Sequence, residues 1–164
     1  MLDQLLDFVS KQKLFQPGER ILLAVSGGID SMVLLHLFQQ TDFDFAVAHC
    51  NFQLREAESD GDETFVREIA GQMQRPLFVK NFDTNVYSEN KCISIQMAAR
   101  DLRRAWFNEL LLKKKYNKIA TAHHLNDSLE TAIFNLARGT GIAGLQGILP
   151  KKDKEKLNDT QLVK

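Results

Sequence analysis

A short segment with two adjacent glycines has the residue types needed to bind a phosphate group. It follows the apolar run Ile21–Val25. The glycines let the backbone turn tightly and approach an anion closely. The helix predicted to follow directs free N–H groups and its positive dipole end toward the same place. The segment therefore predicts a phosphate-binding loop, with a plain strand–helix joint as the alternative. Its members are Ser26, Gly27, Gly28, Ile29, Asp30 and Ser31.

Two side chains extend this interpretation of the loop. The Asp30 carboxylate can cap the following helix or hold a Mg²⁺ ion on the phosphates. No lysine occupies the place that it has in a Walker A loop, G-x-x-x-x-G-K-[ST].

On a later helix Arg100 lies beside the apolar stripe, on the side that also carries Gln96, Arg103 and Phe107, whereas Arg104 points farther out. Arg100 is therefore placed to neutralise phosphate charge, or else is a surface arginine paired with an acid.

Two further segments carry polar residues at points where strands or helices end. The segment Ala122–Thr131 (A-H-H-L-N-D-S-L-E-T) invites a metal-site interpretation. Its spacing is not H-E-x-x-H, however, and no third histidine lies nearby. Asp127 and Glu130 lie opposite the apolar residues of the predicted helix, and so face a cleft or solvent. The glycine-rich segment Arg138–Gly147 is either a flexible tether or a substrate loop.

Alternating strands and helices must position these residues. Four short apolar runs indicate strands, and amphipathic patterns lie before, between and after them. This alternation predicts an α/β fold with a parallel sheet and helices on both faces. Loops beginning at Ser26, His49 and His123 each follow a strand, so we expect them to meet at one edge of the sheet. The predicted strands are Ile21–Val25, Phe43–His49, Leu77–Val79 and Lys118–Ala122.

Composition narrows the class of protein. The chain has 164 residues, 44% of them hydrophobic, which suits one domain with a sizeable core. The formal net charge is zero, so only local basic stretches, such as Arg100–Lys118, are candidates for contacting nucleic-acid phosphate. A solvated helix face is the alternative.

Cys50 and Cys92 form neither a C-x-x-C pair nor a disulfide framework, and no apolar run reaches the roughly 18–20 residues of a membrane span. We therefore expect a cytoplasmic protein without a membrane partner.

Taken in order, five motifs resemble those of one family. They are S-G-G-x-D-S, H-x-N-x-x-L-R, Q-x-A-A-R-x-x-R, A-H-H-x-x-D-x-x-E-T and R-G-T-G-x-x-G-L-x-G. Together they resemble the N-terminal PP-loop domain of the tRNA(Ile)-lysidine synthases over about residues 20–150. The resemblance implies a Rossmann-like (adenine nucleotide alpha hydrolase-like) three-layer sandwich. It predicts a catalytic domain over residues 1–150 and a basic tail over 151–164 that begins a linker to tRNA-binding domains.

The resemblance also implies an activity, the substrates of that activity, and the residues that bind these substrates or act on them. ATP with Mg²⁺ activates the wobble cytidine of an isoleucine tRNA bearing a CAU anticodon, and free lysine then attacks it. Implied catalytic residues are Asp30, which also holds the metal, Arg100, His123 and Asp127. ATP is bound by the Ser26–Ser31 loop and His49. Substrate-binding positions are Glu130, Arg138, Gly139, Thr140 and Gly141.

One residue departs from the family motifs, and three other functions are alternatives to the one that the motifs imply. Phe52 stands where the common form of the second motif has histidine. Thiolation of tRNA by a PP-loop enzyme uses paired cysteines or an iron–sulfur cluster, whereas Cys50 and Cys92 are isolated. Amidating synthetases share the adenylation step but do not normally carry the R-G-T-G-x-x-G-L-x-G loop. A non-catalytic RNA-binding module using Arg100–Lys118 would bind RNA without regard to ATP.

Overall fold

Short runs of apolar residues form the strands, and longer amphipathic segments form the helices between them. A computed structural model describes residues 1–55 and 57–122, together with the backbone of 162–163. Helices and strands follow one another as α1 (Leu2–Lys11), β1 (Arg20–Ala24), α2 (Ile29–Gln39), β2 (Asp44–Asn51), α3 (Ala57–Gln72), β3 (Leu77–Asn81), α4 (Thr84–Lys91), α5 (Ile95–Lys114), β4 (Lys118–Thr121) and β5 (Leu162–Val163).

The strands form a parallel sheet in the order β3-β2-β1-β4-β5. Ala24 at the end of β1 is in register with Ala48 of β2 and with Thr121 of β4. The chain moves outward from β1 through β2 to β3, and then returns to the other side of β1 as β4. Ligands of such sheets bind where the strand order reverses, beyond the carboxyl ends of the strands. In this sheet that place is the end of β1 and β4.

Two separate apolar cores show that helices cover both faces of the sheet. Ile21 and Leu23 of β1 contribute to a core with Val9 of α1, Leu35 of α2 and Val66 of α3. On the opposite face, the intervening residue Leu22 packs in a second core with Trp106 and Leu110 of α5. This alternation is what a strand buried on both faces requires. The predicted α/β class with helices on both faces of a parallel sheet is therefore confirmed.

Some elements differ from the predicted ones. Helix α4 was not predicted, since its two buried residues, Thr84 and Ser88, are polar and no apolar stripe marks it. Trp106 and Leu110 of the predicted α5 stripe are buried, but Ile95 is 45% exposed, and the buried face also includes Ala98 and Phe107. Strand β5 lies within the segment predicted as a tail and pairs with β4. The helix predicted around Leu129–Leu136 lies outside the described residues. Within the described part of the chain, we find no helix that combines the length and the apolar character needed to cross a membrane.

A buried ion pair holds the amino end of β4, at the end of the sheet opposite the Ser26–Ser31 loop. The Lys118 ammonium donates to the carbonyl oxygen of Leu14 at 2.6 Å and pairs with Glu19 Oε2 at 2.6 Å. The same carboxylate oxygen accepts a hydrogen bond from the Gln16 N–H at 2.7 Å. The two side chains are only 8% and 20% exposed. The contact ties the connection between α1 and β1 to the sheet.

We therefore expect Lys118→Met to lower the free energy of unfolding by about 2–3 kcal/mol, because it leaves the Glu19 carboxylate and the Leu14 carbonyl without their donor. Urea denaturation measures the change. Lys113→Met is the matched control, because Lys113 pairs with Glu109 on the surface at 71% and 41% exposure. Such exposed pairs contribute about 0.5 kcal/mol or less. Equal losses in the two variants would contradict the structural role of Lys118.

Candidate active site

The predicted phosphate loop leaves the sheet at its switch point. The loop closes on itself through its two serines, whose hydroxyl oxygens lie 3.2 Å apart. The Ser31 hydroxyl donates to the carbonyl of Gly28 at 2.8 Å and also accepts from the backbone N–H of Ser26 at 3.2 Å. Helix α2 begins just after Gly28, which supplies no capping side chain. The amino end of α2 is therefore presented to the pocket, with its positive dipole end toward any anion there.

Gly27 is the position in this loop that only glycine can occupy without strain. Its φ is +96°, in the left-handed region that side chains rarely adopt. A Cβ placed there would also lie 3.2 Å from both Cβ and Oδ1 of Asp62 on α3. Gly28 differs, because its φ is −71° and an added Cβ would meet only the Ser26 hydroxyl, at 3.5 Å. The loop thus depends on Gly27 for its conformation and for its close contact with α3.

A cavity of about 250 Å³ opens beside the loop. The polar lining residues come mainly from the loop and include Arg103 of α5. The apolar lining residues come from the ends of β1 and β2 and from α5. Thr121 and Ala122, which immediately precede His123, also line the cavity. Such a division suits a ligand with an anionic chain and a flat apolar part. The apolar lining residues are Ala24, Val25, Ala48, Cys50, Phe52 and Phe107.

The arginines of α5 are placed differently from one another. Arg103 lines the cavity together with Phe107, one turn later on the same helix. Arg100 and Arg103 are both exposed, but Arg100 is not one of the lining residues, and Arg104, which was expected to point farther out, is half-buried. Desolvation in the cavity wall lowers the pKa of the Arg103 guanidinium; Cys50 acts in the opposite direction, and the charge of Arg100 adds to the lowering. Within the described residues no carboxylate forms an ion pair with Arg103, so a bound anion would supply the missing countercharge. The i, i+4 spacing of Arg103 and Phe107 was the sequence signal for this position.

His49 lies beneath the loop. It is 2% exposed, and its Nδ1 lies 2.9 Å from the carbonyl oxygen of Val25, the residue before Ser26. Because a carbonyl oxygen only accepts, Nδ1 carries the proton. Within the described residues, no group hydrogen-bonds to His49 Nε2. The side chain is therefore placed to hold the end of β1, and the lining of the cavity does not include it.

Carboxylates of α3 fix the end of β2. The buried Asn51 amide donates to Asp60 and Glu63, at 3.0 Å in both cases, and its Oδ1 accepts from the Gln53 N–H at 3.0 Å. Burial opposes ionisation of Glu63, but hydrogen bonds from Asn51 and Arg67 outweigh it and lower the pKa of this carboxyl. The acidic residues of α3 carry no sequence signal that connects them with the site. Only the tertiary contact with Asn51 distinguishes them from an exposed helix face.

Cys50 is a half-buried thiol on the cavity wall. Desolvation raises the pKa of Cys50 to about 12, although the positive charges of Arg103 and Lys80 oppose the shift. Since the thiolate is the nucleophilic form, Cys50 lacks the character of a sulfur-transferring cysteine. Cys92 is exposed on the surface.

Thiol labelling tests this property. With iodoacetamide at pH 8 we expect Cys92 to react readily and Cys50 to react far more slowly, because the raised pKa keeps Cys50 protonated well above the labelling pH. Peptide mass spectrometry of the labelled protein measures both sites. Labelling in denaturant is the control, and there Cys50 and Cys92 should react at equal rates. Rapid modification of Cys50 in the folded protein would contradict the assignment.

Of the predicted ligand-binding residues, the structure places Ser26, Gly28, Ile29, Asp30 and Ser31 on the cavity wall. The predicted residues His123, Asp127, Glu130, Arg138, Gly139, Thr140 and Gly141 lie outside the described residues.

Among the described residues, no cluster of three or more histidine, cysteine or acidic side chains could hold a metal ion. The single Asp30 carboxylate nevertheless suits Mg²⁺ bound mainly through substrate phosphates, since this ion commonly takes one or two carboxylates there.

Comparison with known proteins agrees with this geometry. The tRNA(Ile)-lysidine synthase of Bacteroides thetaiotaomicron is 45% identical over 144 residues, which make up 88% of this chain and 34% of that protein. The enzyme of the same name from Petrotoga mobilis is 43% identical over 151 residues, covering 90% of this chain and 48% of that protein. The chain thus spans between a third and a half of the length of these relatives.

A solved structure shows the same fold. The U34-tRNA thiolase NcsA from Methanococcus maripaludis, with its [4Fe-4S] cluster, matches with a TM-score of 0.67 at 16% identity, over 85% of this chain and 51% of that one. The PP-loop domain family matches residues 2–164. The loop at the switch point, the two-sided cavity and this match over nearly the whole chain agree, and the chain belongs to the PP-loop domain family.

Proposed function

We propose that this chain is the catalytic domain of a tRNA(Ile)-lysidine synthase, an ATP-dependent carbon–nitrogen ligase. Its substrates are ATP, free lysine and an isoleucine tRNA with a CAU anticodon. The observation that carries the proposal is the identity of 43–45% with proteins of that name, over 88–90% of this chain. The five motifs occur here in the order that the family has them, and the cavity offers separate surfaces for phosphates and for a base.

The first chemical step would be adenylation of the tRNA. The C2 oxygen of the wobble cytidine attacks the α-phosphorus of ATP, and the bond from that phosphorus to pyrophosphate breaks. The amino end of α2 and the hydroxyls of Ser26 and Ser31 are placed to bind the departing phosphates. Arg103 offsets the charge that grows on them. Asp30 would hold the Mg²⁺ that neutralises pyrophosphate.

The second step would be attack by lysine. Its side-chain amine adds to C2, and the former C2 oxygen leaves with AMP. His123 and Asp127 are proposed to act at the reacting centre, and Arg100 to support the nucleotide phosphates. An acidic residue suits the ammonium of lysine, and Glu130 is proposed among the substrate-binding positions. The remaining proposed substrate positions are Arg138, Gly139, Thr140 and Gly141.

A single-turnover reaction tests the proposal. It contains the full-length protein, ATP, Mg²⁺, labelled lysine and unmodified isoleucine tRNA with a CAU anticodon. We expect label in the wobble nucleotide and one AMP released per lysine incorporated. A tRNA with the wobble cytidine replaced by uridine is the matched control and should accept no lysine.

Other outcomes separate the competing functions. AMP release with sulfur or ammonia as the acceptor, and none with lysine, would move the protein to a thiolating or amidating branch of the family. Binding of tRNA that ignores ATP, with no AMP release, would identify a non-catalytic RNA-binding module. Either result would overturn the proposed function.

A further inference from the structure

Phe52 forms part of the apolar cavity wall just beyond β2. Its ring stacks on Phe82, with ring centroids 5.5 Å apart and planes 18° from parallel. Phe82 is only 6% exposed and meets the edge of Trp106 at 6.1 Å. One face of the Phe52 ring is therefore supported by a rigid aromatic cluster, while the half-buried ring still borders the cavity.

Backbone contacts fix this ring in place. The hydroxyl of Thr84 donates to the carbonyl oxygen of Phe52 at 2.8 Å, and the Phe82 N–H donates to the carbonyl of Asn51 at 2.8 Å. On the other side of Phe52, Gln53 has a φ of +52° and donates its N–H to the Asn51 side chain. The aromatic surface is thus positioned by the protein itself, so a ligand need not spend binding energy on ordering it.

The apolar wall is continuous with the phosphate loop. Cavity residues run from Ser26 at the end of β1 to Ala48, Cys50 and Phe52 at the end of β2. A single molecule with a polyphosphate on the loop can therefore bring its base against the apolar wall. Cys50 is held as a neutral thiol, so it adds no negative charge to the wall beside Phe52.

We propose that Phe52 is the stacking surface for the adenine base of ATP. This inference rests on the proposed function, since it assumes that the loop binds the phosphates of ATP. Phe52 contributes apolar area and a π-face, which increases affinity for a base without reading its edges.

Binding measurements on the full-length protein separate a base contact from a loop contact. Isothermal titration compares ATP with inorganic tripolyphosphate, which lacks a base. For Phe52→Leu we expect about 10-fold weaker ATP binding, because loss of one aromatic stack costs about that much. Tripolyphosphate binding should stay unchanged. Phe52→Tyr, which keeps the ring, should retain ATP affinity.

Phe78→Leu is the matched control for packing. Phe78 packs against the same core and meets Tyr116 edge-on, but it does not line the cavity. It should leave ATP affinity unchanged. The proposal is overturned if Phe52→Leu retains ATP affinity, or if it weakens ATP and tripolyphosphate equally, which would mean that it distorts the loop. It is also overturned if Phe52→Leu raises KM for tRNA alone, because the ring would then contact the cytidine.

The same titrations separate failure of this inference from failure of the proposed function. If the unaltered protein binds neither ATP nor tripolyphosphate, the phosphate site itself is wrong and both proposals fall. If it binds both ligands and Phe52→Leu has no effect, only the role of Phe52 is wrong.

Discussion

Replacing Gly27 with valine is expected to lower ATP-dependent adenylation by at least about 100-fold, because a displacement of the phosphate loop by an ångström misaligns the reacting groups. Two separate costs produce that displacement. Valine is strongly disfavoured at a φ of +96°. Its Cβ would also lie 3.2 Å from Asp62 Cβ, so either the loop or α3 must move.

A second glycine separates strain from function. Gly18 has a φ of +81°, but an added Cβ there meets nothing within 4 Å. Gly18→Ala should therefore lose roughly 1–2 kcal/mol of stability from the left-handed backbone alone, and Gly27→Ala should lose at least as much because Asp62 must also move. Only Gly27→Ala should weaken ATP binding. Titration with ATP and urea denaturation of both variants give the two quantities.

The outcome decides whether the loop is the phosphate site. If Gly27→Val folds and retains its ATP affinity, the polyphosphate does not bind at Ser26–Ser31. Gly28→Ala is expected to be the milder change in this loop. Gly28 has ordinary extended backbone, and its added Cβ would make only a normal contact with Ser26.

The sheet and most of its helices could be predicted from the sequence, because their apolar residues follow simple periods. Ile21, Leu22 and Leu23 are all buried, as a run covered on both faces must be. Helix α4 escaped prediction because its buried residues Thr84 and Ser88 are polar. Its only strong local signal was the cap, in which Asp83 accepts a hydrogen bond from the Val86 N–H.

The loop of the site was predictable, but its surroundings were not. Two glycines after an apolar run indicate a tight turn, and local chemistry suffices for that conclusion. Neither the approach of Asp62 to Gly27 nor the support of Val25 by His49 leaves a periodic signal. Both contacts join residues that are distant in sequence. The first arises only when α3 packs over the loop, and the second only when β1 and β2 pair.

The breadth of the buried face of α5 has the largest functional consequence among these differences. Trp106 and Leu110 of the predicted stripe are buried, but Phe107 is 2% exposed and belongs to the same buried face. Arg103 lies one turn before Phe107 and lines the cavity, whereas Arg100 does not.

Arg103→Ala is therefore expected to reduce kcat/KM for adenylation by about 10²–10³, the usual effect of removing one preorganised group that stabilises transition-state charge. Arg100→Ala should have a smaller effect, because Arg100 is not one of the residues that line the cavity. Single-turnover AMP release at saturating tRNA measures both variants. Lys113→Ala, on the exposed last turn of α5, is the control for loss of one positive charge on this helix.

The form of the defect identifies what Arg103 does. If it stabilises charge that develops as pyrophosphate leaves, Arg103→Ala lowers kcat more than it weakens ATP binding. Arg103→Lys should restore only part of the rate, since an ammonium lacks the planar fork that binds two phosphate oxygens at once. A larger loss in Arg100→Ala than in Arg103→Ala would show that the phosphates lie nearer the start of α5. The cavity that Arg103 lines would then not hold the α-phosphate.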